Sequence, residues 1–127
     1  MPRVEEIAAP RLAQAIERDA CILAEQMEQA YRDEIPEYRR KSAEFEAESR
    51  AVSEAAIGSA VLLLRGEVSE HELLGTDLWA GLGRRRAQQG FPLHAVVQSF
   101  QTGTRVMFAR LHHEADLIGP DASLVLA

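Results

Sequence analysis

The stretch from Arg84 to Leu111 constrains the fold of this chain more than any other. It contains no acidic residue, and apolar or small side chains cover most of the circumference of the helix that it predicts. Gly90 and Pro92 indicate that one helix ends and the next begins within two residues. A helix that is apolar on more than one side normally has neighbours on several faces. We therefore expect the helix Pro92–His113 to be central.

The rest of the chain also has the apolar periodicity of helices. Pro36 interrupts it, because the residue before a proline is pushed out of the α region, and Gly66 is a typical helix end. The predicted helices are Pro10 to Pro36, Tyr38 to Arg65, a short helix opened by the capping pattern of Ser69 and Glu72, Thr76 to Gly90, and Pro92 to His113. A chain of 127 residues is long enough for one core. The sequence thus predicts an all-α, single-domain helical bundle of about five helices.

Two patches of small residues, Ala55–Ala60 and Ser99–Gly103, predict places where helices cross closely. Gly58 lies inside a predicted helix, where glycine costs about 1 kcal/mol relative to alanine. The close approach of another backbone is the usual reason for such a glycine. On the helix after Pro92 a main apolar stripe is formed by Leu93, Val96, Val97, Phe100, Thr104, Met107 and Leu111. A second, smaller stripe across from it is formed by Ala95, Ser99, Thr102, Val106 and Ala109.

Composition excludes several classes of function. The net charge of −6 argues against a nucleic-acid-binding surface that covers this domain. Cys21 is the only cysteine, so an intrachain disulfide is impossible and a reducing cytoplasm is the simplest compartment. The longest apolar run, Ala60–Leu64, is too short for a signal core or a membrane span. We expect a cytoplasmic protein that makes no membrane contact.

No residue set in the sequence specifies a reaction. His112 and His113 are adjacent, so on a helix they point about 100° apart and cannot chelate one ion together. His71 lacks the second histidine of a metalloprotease helix. Cys21 has apolar neighbours, among which an inert thiol is the ordinary interpretation. We expect no catalytic residue, no metal and no cofactor.

The candidate ligand-binding residues are Arg86, Gln101 and Arg105. Arg86 falls on the apolar side of its helix, which leaves two interpretations open. Either its stem is buried and its guanidinium solvated, or the guanidinium itself is buried and paired with a glutamate of the second helix. A polar strip on the helix after Pro92 either lines a pocket for a small anion or faces solvent: His94, Gln98, Gln101, Arg105 and His112.

A family resemblance rests on two motifs. The first is Arg86-Ala87-x-Gln89-Gly90-x-x-Leu93, followed by Phe100, Gly103 and Arg105; the second is Ile35-Pro36-x-Tyr38 upstream. With these motifs the chain resembles the N-terminal domain of PucR-like transcriptional regulators. It is similar also to the N-terminal domain of RsbRD-type co-antagonists of the stress-response kinase RsbT. Within the first motif, we expect the corner between two helices to be set by Gln89, Gly90, Pro92 and Leu93.

The resemblance implies an all-helical regulatory domain, related in shape to globin-like sensors that carry no haem. In PucR-like regulators such a domain precedes a DNA-binding helix-turn-helix and self-associates, so a homodimer is expected. The apolar ending Ser123–Ala127 leads us to expect that residues 1–127 are one domain at the N-terminus of a longer regulator. The alternatives are a stressosome-type protein–protein scaffold of the RsbR kind and a small-anion sensor with a pocket near Arg86 or Arg105.

Overall fold

The structure is a computed structural model that describes residues 4–74 and 77–119, without the side chains of residues 4–7, 73–74 and 77–79. All regular structure in these ranges is helical, which confirms the all-α prediction. The α-helices are α1 (Val4–Arg18), α2 (Ala20–Glu34), α3 (Ala43–Leu64), α4 (Glu70–Leu74), α5 (Asp77–Gln88) and α6 (Leu93–Ile118), and a short 3₁₀ turn, Pro36–Tyr38, joins α2 to α3. The sequence also predicts a further helix that starts at Asp121, after Gly119 and Pro120, and this helix lies outside the described residues.

The first predicted helix is in fact two helices, and α1 begins before Pro10 rather than at it. The break lies at Asp19, whose backbone leaves the helical region (φ −103°, ψ 18°). The Asp19 carboxylate accepts hydrogen bonds from Arg18 and, at 2.5 Å, from Arg110 of α6. These bonds lower the pKa of Asp19, the bond from Arg18 most strongly. Apolar periodicity continues through the break, so the sequence pattern did not indicate it.

The helix ends predicted at Gly66, Ser69 and Gly90 are confirmed, whereas the start of α3 differs from the prediction. Helix α3 starts after Ser42, whose hydroxyl accepts the Phe45 N–H at 3.1 Å, and therefore begins later than predicted. Ser69 accepts the Glu72 N–H at 3.0 Å, as the capping pattern predicts. Gly66 and Gly90 both have positive φ angles and end their helices in the paired backbone hydrogen bonds of a Schellman motif.

The inner layer of the bundle is formed by α1 and α2. Helices α3 and α6 each pack against both of these helices and make few contacts with each other. Helix α6 contacts α1, α2 and α5, so it has several neighbours, as expected for the helix Pro92–His113. Most of the buried apolar residues form one core: Ala13, Ile16, Leu23, Ala24, Met27, Tyr31, Ile35, Tyr38, Phe45, Ile57, Val61, Phe91, Ala95, Val96 and Leu111.

The buried face of α6 is largely the smaller of its two stripes. Ala95, Ser99 and Thr102 are buried, whereas several members of the larger stripe are exposed, with Leu93 at 78% and Val97 at 45%. Small side chains let α6 approach α2 closely, and the larger ones are displaced to the rim. Because α6 is apolar on most of its circumference, its sequence does not show which of the two stripes is buried.

The two glycines of the small-residue patches behave differently. A Cβ atom at Gly103 would lie 2.5 Å from the Tyr31 hydroxyl and 3.4 Å from the Met27 methyl, so α6 and α2 do cross closely there. A Cβ atom at Gly58 would meet nothing within 4 Å. The prediction of a close backbone approach at Gly58 is therefore wrong, since this residue is exposed on α3.

Replacing Gly103 with leucine should lower the free energy of unfolding by about 1–3 kcal/mol, because its side chain needs the space of Tyr31. Replacing Gly58 with alanine should raise it by about 0.5–1 kcal/mol, since the helix gains propensity without a clash. Urea unfolding followed by circular dichroism measures both. A Gly103→Leu variant as stable as the wild type would contradict the close crossing.

Candidate functional site

A cavity of about 730 Å³ lies between α3 and α6, above α2. The gap exists because α3 and α6 both pack on the inner layer and little on each other. Small side chains contribute much of its lining: Ser49, Ser53, Ala56, Ser59 and Ala60 on α3, and Ser99, Gly103 and Thr104 on α6. The small residues of the patches Ala55–Ala60 and Ser99–Gly103 thus leave space between α3 and α6. A volume of this size is in the range of small-molecule sites in proteins.

Arg86 lines this cavity and is only 2% exposed. Of the two open interpretations of this residue, the buried and paired guanidinium is the one observed. Its Nη1 donates to the Gln89 side-chain oxygen at 2.8 Å and to Glu48 of α3 at 3.3 Å. Its Nε is buried and has no hydrogen-bond partner among the described residues. Burying a charge is costly unless it is paired and hydrogen-bonded, so this guanidinium is incompletely satisfied.

Glu48 is shared between two arginines. Both of its oxygens accept hydrogen bonds from Arg85, at 3.1 and 3.3 Å, in addition to the longer contact with Arg86. The hydrogen bond from Arg85 contributes most to holding the pKa of Glu48 below its usual value, despite the opposing effect of burial. Arg85 is half exposed and Arg86 is buried. Glu48 therefore pairs more closely with the exposed arginine than with the buried one, for which an unpaired charge would cost more.

An aromatic cluster holds the Arg86 guanidinium from the side. Its central carbon lies 4.8 Å from the ring centroid of Phe45 and 5.8 Å from that of Phe91. These two rings stack at 5.4 Å, and Tyr38 contacts both. Cation–π contacts of this kind are favourable when the cation is desolvated, so they offset part of the cost of burial. They also fix the guanidinium plane.

Tyr31 and Ser53 add hydroxyl groups to the same region of the cavity. Burial raises the pKa of Tyr31 to about 12, and the neighbouring Ser53 hydroxyl opposes this rise. The Ser53 hydroxyl donates to the buried carboxylate of Glu28 at 2.7 Å. Tyr31 is therefore a neutral phenol at ordinary pH. It can donate or accept a hydrogen bond without introducing charge.

The other predicted ligand-binding residues lie elsewhere. Gln101 and Arg105 are exposed and do not line the cavity, and Arg105 forms an ion pair with Glu34 at the end of α2. Gln98 of the same polar strip donates to the Glu34 carbonyl at 3.1 Å, and His94 lies 3.5 Å from Glu37. The strip therefore attaches α6 to the end of α2. That any of these residues binds a ligand stays a prediction.

The corner residues connect this site to the chain path. Gly90, with φ at 85°, and Pro92 turn the backbone between α5 and α6, while the Gln89 side chain bonds to Arg86. Leu93 contributes little to the packing, since it is largely exposed.

Several residues of the site were not singled out from the sequence. Tyr31, Glu48, Ser49 and Ser53 lie in predicted helices, where their residue types alone do not indicate a site. The available signal was a heptad-like seam on the second predicted helix, from Tyr38 to Leu63, in which a small or polar residue fills every second position. It could not be interpreted without knowing that α6, rather than water, lies across from it.

Comparison with known proteins identifies the family. Residues 22–127 match the family model of the RsbT co-antagonist protein RsbRD N-terminal domain. This range is most of the chain, so the chain belongs to that family, and the RsbRD-type resemblance is confirmed. Neither the curated proteins nor the solved structures gave a match. In the part of the chain that the structure describes, no helix is both long and apolar enough to cross a membrane.

Replacing Glu48 with glutamine should destabilise the domain at neutral pH by about 1–2 kcal/mol, because it leaves the buried Arg86 without a carboxylate. The lowered pKa of Glu48 sets the pH dependence. Its stabilising effect is complete above the ordinary glutamate pKa and is lost as pH falls through the lower folded-state value. The two proteins should therefore converge in acid. Urea unfolding between pH 7 and pH 3 tests this, with the exposed Glu46→Gln as control; a constant difference at all pH values would contradict it.

Proposed function

We propose that this domain is the signal-input module of an RsbRD-type signalling protein, and that the signal is occupancy of the cavity between α3 and α6. The observation that carries the proposal is this cavity, in a domain whose family is named for a signalling co-antagonist. In the proposal, residues 1–127 are one N-terminal domain, and a domain outside this range receives the signal.

Helix α6 is suited to transmit such a change. It approaches α2 closely at Gly103, and its Ser99, Gly103 and Met107 line the cavity. A ligand that separates α3 from α6 therefore acts on the same helix that contacts the inner layer. A shift of this kind requires that the ligand bind one arrangement of α6 more tightly than the other. The ion pairs of Arg105 and Arg110 with α2 and Asp19 would define the unoccupied arrangement.

Filling the cavity from within tests this proposal. Ala56 is half buried and lines the cavity, so leucine at this position should imitate an occupied site. In the intact signalling protein, Ala56→Leu should change the amount of RsbT-type partner that co-purifies by at least about threefold, equivalent to about 0.7 kcal/mol. The exposed Ala51→Leu on the same helix should leave it unchanged. Equal co-purification by wild type and both variants would contradict the proposal.

The PucR-like context is a second form of the same proposal, in which the receiving domain binds DNA. The RsbRD-type and PucR-like contexts share the same input domain and differ in what the intact protein binds, an RsbT-type partner or DNA. A gel-shift titration of the intact protein with Ala56→Leu and Ala51→Leu distinguishes them. A change in DNA affinity for the first variant alone would support the PucR-like context.

A second candidate function, self-association, is favoured by the exposed row on α6. Leu93, Val97, Phe100 and Phe108 are each at least 38% exposed and recur at helical spacing. Together with Leu117 at 69%, they give one helix an uncommon amount of exposed apolar surface. Surfaces of this kind mark interaction sites, and a homodimer of this domain in the cytoplasm is the proposal that the family context favours.

Introducing charge into this row should prevent a dimer. The double variant Leu93→Asp, Val97→Asp should elute as a monomer at concentrations at which the wild type is dimeric, because association would bury two unpaired carboxylates per subunit. Light scattering after size-exclusion chromatography measures the mass. The matched control is Ile22→Asp, because Ile22 is also apolar and exposed but lies on α2. A wild type that is monomeric at millimolar concentration would overturn this candidate.

A further inference from the structure

We infer that the cavity binds a single-chain amphiphile, whose carboxylate lies beside Arg86 and whose apolar chain lies between α3 and α6. This inference rests on the proposed function and gives it a ligand class. It differs from a small-anion site, because most of the binding surface would contact hydrocarbon.

The shape of the cavity favours a linear ligand. Its lining on α3 extends from Ser49 to Leu64, which at 1.5 Å per residue spans about 22 Å. Its lining on α6 extends from Ser99 to Leu111, which spans about 18 Å. The site is therefore an elongated trough along two helices.

The two ends of this trough differ in polarity. Arg86 contacts Glu48, next to Ser49, so the guanidinium lies at the end of the trough near the start of α3. The opposite end is lined by Leu63, Leu64 and Leu111. The one acidic residue among the described lining residues is Glu70, which is exposed on α4. An amphiphile with its head at Arg86 places its carboxylate beside the guanidinium and its hydrocarbon chain against the leucine side chains at the other end.

A carboxylate fits the head position because Arg86 lacks a full complement of acceptors. Its carboxylate contact is 3.3 Å long and is made to an oxygen that Arg85 also contacts, and its Nε has no partner among the described residues. A planar guanidinium matches the two oxygens of a carboxylate. Glu28, a buried acid nearby, does not line the cavity, and its carboxylate accepts a hydrogen bond from the Ser53 hydroxyl. The phenol of Tyr31 offers a further donor on the same side.

Titration calorimetry of the folded domain with dodecanoate, below its micelle concentration, tests this inference. Dodecanoate should bind, dodecan-1-ol should bind about tenfold more weakly, and acetate should not bind measurably. Arg86→Gln should reduce dodecanoate to the affinity of dodecan-1-ol and leave the alcohol unchanged. Arg84→Gln, an exposed arginine of the same helix that neither lines the cavity nor contacts Glu48, should behave as the wild type.

A second variant keeps the test decisive if Arg86→Gln does not fold. Ala56→Leu narrows the trough away from the guanidinium and should weaken dodecanoate about tenfold, whereas Ala51→Leu should not. Equal binding of dodecanoate and dodecan-1-ol, or no binding of either, overturns the ligand class. Failure of the ligand class and failure of the input-module proposal give different results. If only the ligand class is wrong, Ala56→Leu still changes the output of the intact protein. If the input-module proposal is wrong, dodecanoate binds but Ala56→Leu leaves that output unchanged.

Discussion

The close approach of α6 to α2 at Gly103 is the constraint on which the rest of the structure depends. The Tyr31 hydroxyl occupies the space that a larger residue at this position would need. Since α6 lies against the inner layer here, its small residues face inwards and its large ones are left at the rim. Helix α3 packs on the same two helices but makes few contacts with α6, so a trough remains between α3 and α6. The cavity is thus a result of how tightly α6 packs on α2.

Arg86 is held in this arrangement by unusually weak electrostatic pairing for a buried charge. The stacked rings of Phe45 and Phe91 hold the guanidinium, and Glu48 is shared with Arg85. A hydrophobic residue of similar size would avoid the desolvation cost altogether. This charge lies on the wall of the cavity, and its Nε has no acceptor among the described residues.

Much of the fold could be predicted from the sequence, because helix caps are local. Ser69, Gly66 and Gly90 behave as their residue types and neighbours require. The break at Asp19 could not be predicted, since the ion pairs that hold it come from Arg110, 91 residues further along the chain. The orientation of α6 was also hidden, because both of its stripes are apolar. Arg86 was found as a candidate from its position on the apolar side, whereas Tyr31 and Ser53 became visible as site residues only once α3 and α6 were placed.

The break at Asp19 has one further consequence. The family match begins at residue 22, just beyond this break, so α1 precedes the shared part of the chain. Yet α1 packs on both α3 and α6, and its Leu12 and Ile16 are fully buried. Helix α1 thus lies before the range of the family match, but it completes the packing of the two helices that enclose the cavity, and its Ala9 contributes to the lining. A substitution in α1 would therefore reach the cavity through α3 and α6.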